Sequence, residues 1–131
     1  MKIFGIMTLH SLKNKAQYKT IAQLWDIFEK LFPVESIVGV GLNWTDESME
    51  YFIGTKKIIS RDIQNEILKK IPNAIFSWYD IENISNMEVY RGNYSTLQSD
   101  YEKIWRKKVI QEIETFQKDG NYIIYIKRGE E

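Results

Sequence analysis

The order in which hydrophobic periodicities follow one another leaves few folds open to this chain. "KIFGIMTLH" reads as a strand, and "NKAQYKTIAQLWDIFEKLF" sets Ile21, Leu24, Trp25, Phe28 and Leu31 at helical spacing before Pro33 closes it. Asn14 with Gln17 has the pattern of a capping box at that helix's start. "SIVGVGLNW" and "MEYFIGTKKI" then read as a hairpin across the polar turn "TDES". Residues 60–71 place Ile63, Ile67 and Ile71 four apart, a short amphipathic helix stopped at Pro72. "NAIFSWYDIENIS" is extended in character and leads into the strand "MEVYRGNY". Ser95 with Gln98 suits the cap of a second long helix, "TLQSDYEKIWRKKV", with an inner stripe of Leu97, Tyr101, Ile104 and Trp105. "IETF" and "NYIIYIKR" close the chain as a hairpin turned by Asp119-Gly120.

Strand, helix, strand, strand therefore occurs twice. This predicts an α+β fold of one domain over 1–131: a first half to about residue 59, a connector helix over 60–72, and a second half over 73–131. The two βαββ units would share an antiparallel sheet with both long helices on one face; the other face is then water-exposed, covered by another chain, or hollowed into a ligand site. Side chains alternate along a strand, so Glu112, Glu114 and Phe116 share a face opposite to Ile113. With Ile113 packed toward the helices, the two acids and the ring look out from the helix-free side.

Composition narrows the chemistry. Lys plus Arg (18) equals Asp plus Glu (18), which provides no overall field for nucleic acid or an anionic membrane. There is no cysteine and a single histidine, His10, so thiol chemistry and an imidazole metal site drop out, and no metal or cofactor is expected. No run of eighteen apolar residues and no signal-type leader stands out, which points to a cytoplasmic protein without a membrane span. Aromatic residues make up 14% of the chain, with four Trp and eight Tyr, and rings with polar tips seek partners when buried. Trp25 and Trp105 fall on the inner helix stripes and read as core; His10 reads as a surface or hydrogen-bonded residue at the end of its strand. Gly39 and Gly41 lack the helix and third glycine of a dinucleotide loop and read as a close backbone approach. The basic run at 106–108 reads as a solvated helix end.

Taken in order, these motifs resemble the GyrI-like small-molecule-binding domain, the bacterial transcription activator effector-binding domain of AraC-type and MerR-type multidrug regulators. Asn14 precedes an "I..LW..F" pattern at Ile21, Leu24, Trp25 and Phe28; "IVGVGLNW" and Tyr51 with Gly54 follow. "MEVYRGNYSTLQSDYEKIW" carries Val89, Gly92, Tyr101, Ile104 and Trp105, and Ile113, Glu114 and Phe116 stand where the family has "FE.Y". The resemblance implies a ligand groove between the two units on the helix-free face, and a stand-alone effector-binding protein in which Glu114 meets an aromatic or lipophilic cationic ligand. Glu112 is the second candidate, because the connection after the second helix is shorter than in the family. Trp44, Tyr51, Trp78, Tyr90 and Phe116 are the candidate ring contacts.

Such a protein binds a small molecule, has a protein partner such as a regulator or gyrase within its reach, and does not itself bind DNA. Two alternatives stay open: a small hydrolase in which Glu114 with Tyr90 or Tyr51 activates water, and an interaction module whose aromatic sheet face meets another macromolecule.

Overall fold

The computed structural model describes residues 1–81 and 84–129. Within these residues seven strands form one antiparallel sheet, β1 (Lys2–Ser11), β2 (Ile37–Leu42), β3 (Ser48–Thr55), β4 (Phe76–Asp80), β5 (Glu88–Asn93), β6 (Val109–Phe116) and β7 (Asn121–Arg128). Their spatial order is β4-β1-β3-β2-β6-β7-β5. Among the described residues three α-helices accompany it, α1 (Ala16–Glu29), α2 (Arg61–Lys70) and α3 (Tyr94–Ile104). The α+β class holds. Leaving out β4, the sheet reads β1-β3-β2 against β6-β7-β5, two three-stranded units that mirror each other across the β2–β6 seam. Among the described residues, no helix is long and apolar enough to cross a membrane.

Strand parity decides what each face carries. On β2, Val38 and Val40 pack with Ile3, Phe52, Ile81 and Ile113, while Ile37 joins Phe4, Ile6, Tyr51 and Ile53 beneath α1. Ile113 thus belongs to the face away from the helices. This reverses the expected orientation of β6: Glu112, Glu114 and Phe116 point to the helix side, and the face expected to carry the groove is, among the described residues, packed with apolar side chains. The chain itself covers that face. β4 and β5 lie at opposite edges of the sheet, so the connection between them must cross it, and Ile81, Ile84 and Met87 pack onto Val38, Val40 and Phe52 as it does so. The extended run expected to carry β4 directly into β5 is interrupted by a short helical turn at Ile84–Asn86; Glu82 and Asn83 of that run lie outside the described residues.

Helix ends differ from the expected caps in an informative way. No Asn14 side-chain cap forms on α1; Asn14 and Lys15 both take left-handed backbone angles (φ 55° and 58°), and the helix starts after them. On α3 the cap is Asn93, in a reciprocal box with Thr96, in place of Ser95 with Gln98. α3 also ends at Ile104, short of the expected Val109. Arg128 from β7 accounts for part of that stop, because its Nη1 donates to the carbonyls of Ile104 and Lys107 at the helix end. Ser60 caps α2 by accepting from the Ile63 N–H, and Gly120 supplies the positive φ (88°) of the final turn.

Candidate ligand site between the two helices

α1 lies over β1 and β3, and α3 lies over β5 and β7. The two central strands, β2 and β6, are left with a gap above them. The gap is a cavity of about 630 Å³, floored by Gly41, Glu112 and Glu114, with Tyr51 beside them. Trp25, Ile21 and Tyr18 of α1 form one wall, and Leu97, Tyr101 and Trp105 at the α3 side form the other. A space of that size and lining is typical of a small-molecule site.

Register explains why the floor is hollow. Gly39 pairs with Glu114 and Gly41 with Glu112 across the β2–β6 ladder. A methyl group on Gly39 would stand 1.8 Å from the Tyr51 hydroxyl oxygen, and one on Gly41 would stand 2.9 Å from the Trp44 ring. The glycines leave the space that the Tyr51 hydroxyl and the Trp44 indole occupy, a more specific role than backbone approach alone.

Glu114 is held from both sides. The Tyr51 hydroxyl donates to its Oε2 at 2.8 Å and the Tyr101 hydroxyl donates to its Oε1 at 2.8 Å. The Trp25 indole N–H in turn donates to the Tyr51 oxygen at 2.7 Å. This chain of donors joins α1, β3, β6 and α3. Burial, followed by the nearby charge of Glu114, pushes the Tyr51 and Tyr101 phenols far up, so both keep their protons and act as donors.

Glu112 sits two residues back on the same face, 5% exposed. Burial first, then the charge of Glu114 and a hydrogen bond to it, pushes Glu112 well above the usual carboxylate range. At the rim α1 adds Asp26 and Glu29, against a single Lys15, so the charged lining is mainly acidic.

Rings close both ends of the floor. Phe116 meets Trp25 edge-on (centroids 5.1 Å apart, 82° between planes) and stacks with Tyr94 (6.1 Å, 14°). Trp44 meets Trp105 edge-on at 5.1 Å. His10 lies behind Tyr51, buried, with its Nε2 2.6 Å from the Thr8 hydroxyl and its Nδ1 2.7 Å from Thr20 on α1. That arrangement ties β1 to α1, and burial holds the imidazole below its ordinary pKa.

Of the six residues singled out from the sequence, Glu114, Trp44, Tyr51 and Phe116 come together at this cavity. Trp78 and Tyr90 stand apart from it. Both share the helix face, but they are on the edge strands β4 and β5, with α1 and α3 between them and the gap. Trp78 is half exposed against the edge of Phe4, and the Tyr90 hydroxyl donates to Glu88 and accepts from Arg128. In compensation, Trp25 and Trp105, read from the sequence as core, line the cavity, as does Tyr101. The signal for them was present: an inner helix stripe that carries indole and phenol tips must offer those tips a polar partner.

The chain matches no protein-family profile and no curated protein. Its fold is similar to a crystal structure of a proposed bacterial transcription regulation protein from Staphylococcus aureus MU50. The TM-score is 0.56 over 98% of this chain and 93% of that one, at 12% sequence identity, a likeness of fold.

Proposed function

We propose that this chain is an effector-binding protein of the GyrI-like kind, which captures an aromatic or lipophilic cation between α1 and α3 and passes the bound state to a transcriptional regulator or another protein partner. One observation carries the reading: Glu114, 8% exposed, is fixed by two phenol donors at the floor of a cavity walled by indole and phenyl rings. A carboxylate in such surroundings attracts a cation strongly, because the low-dielectric walls weaken the attraction little. Ring faces add roughly 0.5–2 kcal/mol each where they meet the charge. The likeness of fold to the Staphylococcus protein supports the regulatory setting at the level of architecture. For the hydrolytic alternative, Tyr51 stays in reach of Glu114, whereas Tyr90 does not share the cavity.

Titrating intrinsic tryptophan fluorescence with tetraphenylphosphonium and with naphthylmethyl cations tests the proposal, since Trp25, Trp44 and Trp105 all border the cavity. Saturable quenching that weakens at least about tenfold in Glu114→Gln is expected, the loss of one buried charge interaction. Equal binding of neutral isosteres, or unaltered affinity in Glu114→Gln, would contradict it.

A further inference from the structure

Glu114 stands midway along its cavity. α1 lines the space from Lys15 to Glu29 and α3 lines it from Tyr94 to Trp105. At roughly 1.5 Å per helical residue, stretches of that length make it a trough of about 15–20 Å.

Two ring clusters mark the trough along the β2–β6 seam. Where Gly41 leaves room opposite Glu112, Trp44 and Trp105 meet edge-on. On the far side of Glu114, Phe116 meets Trp25 and stacks with Tyr94. Glu112 is two residues before Glu114 on β6, and Phe116 is two residues after it. At about 3.4 Å per residue, the clusters therefore flank the carboxylate at levels about 7 Å to either side. Between them the acid is held by the Tyr51 and Tyr101 hydroxyls.

This order of ring, acid, ring dictates where along a ligand the charge belongs. A cation that carries all its rings to one side of the charge fills one cluster and leaves the other to water. If it slides to cover both clusters, its charge moves to a mouth of the trough, where the acids are Asp26 and Glu29. Both are solvent-exposed, and an exposed ion pair contributes little. Glu114 would meanwhile lie under a ring with no opposite charge, the costlier arrangement. A cation with its charge between two rings meets all three positions together, and a cavity of about 630 Å³ has room for both arms.

Resting on the cation-capture reading, we infer that the ligand is an elongated cation with its charge at the centre, held by Glu114, and an aromatic arm on each side. One arm lies against Trp44 and Trp105, the other against Phe116 and Tyr94.

Calorimetric titration of the full chain with two isomeric cations tests this. Dibenzyldimethylammonium has its charge between two rings; (biphenyl-4-ylmethyl)trimethylammonium has the same atoms with the charge at one end. Neutral 2,2-dimethyl-1,3-diphenylpropane is the uncharged control. The wild-type chain is expected to bind the central-charge isomer about tenfold or more tightly than the terminal one. Trp105→Ala and Tyr94→Ala each remove part of the wall for one arm, at residues 40% and 62% exposed, and each is expected to shrink the preference to about threefold or less. Equal affinity of the isomers, or tighter binding of the terminal one, overturns this inference and leaves cation capture standing. A preference that survives undiminished in both variants overturns it as well. If neither cation binds more tightly than the neutral compound, both readings fall. Should one variant fail to fold, the other and the wild-type comparison still decide.

Discussion

β2 and β6 are neighbours at the centre of the sheet, and they present opposite solutions to one face. β2 offers two glycines there, Gly39 and Gly41, and β6 offers two acids directly across from them, Glu114 and Glu112. On the other face the same strands are alike, with Val38 and Val40 beside Ile113 in one apolar cluster. The asymmetry is therefore confined to the helix side. One strand makes room and the other fills the room with charge. Neither would hold a site alone: without Gly39 the Tyr51 hydroxyl has no place to stand, and without Glu114 that hydroxyl has no acceptor for its proton.

The strongest way to break the contrast is to give β2 a side chain. Gly39→Val places carbon where the Tyr51 oxygen now lies, 1.8 Å away, and Tyr51 is fully enclosed. Overpacking and the loss of its two hydrogen bonds together predict a destabilisation of about 3 kcal/mol or more in urea unfolding, with loss of cation binding. Removing just the hydroxyl is milder. Tyr51→Phe leaves Oε2 of Glu114 and the Trp25 N–H without their partner, for about 1–3 kcal/mol by the same measurement. Gly41→Ala is milder again, since the new methyl meets the Trp44 ring at 2.9 Å and the Met49 methyl at 3.2 Å, side-chain atoms with some freedom to shift. About 1 kcal/mol of stability is expected to go, with a reduced ligand affinity that fluorescence titration reads.

The smallest effect sharpens the contrast from the acid side. Glu112 has its folded-state pKa raised, so its protonated form suits the fold and its ionised form does not. The stability it allows is fully present below the unfolded carboxyl value of about 4.3, and is lost as pH rises through the folded value. Glu112→Gln does not titrate. Its urea midpoint should match the wild type near pH 4 and exceed it increasingly toward pH 8; a variant equally or less stable at pH 8 would show that the buried acid carries no strain.

Much of this fold was legible because periodicity is a direct imprint of burial. The two helices, the hairpins and the Asp119-Gly120 turn follow from spacing and turn chemistry, and the α+β class follows from their order. The side of the groove was misread from one residue. Assigning Ile113 to the helices overlooked the segment through Ile81, Ile84 and Met87, which supplies an apolar cover for the other face. "VGVG" held the clue. Its valines and glycines alternate, and a face with β-branched residues on both central strands is the packed one, so the glycines and acids had to share the other. Trp78 and Tyr90 were misplaced for a different reason: strand identity was readable, but edge position depends on β4 returning to pair with β1, a long-range choice that local sequence does not encode.

A crystal structure of the chain with 2-naphthylmethylammonium tests the central claim most directly. The account predicts the ring between α1 and α3, edged by Trp25 and Trp105, with the nitrogen within about 4 Å of the Glu114 carboxylate, an ion-pair distance. A cation bound on the face covered by Ile81 and Met87, or seated in the cavity with its nitrogen turned away from both acids, would contradict it.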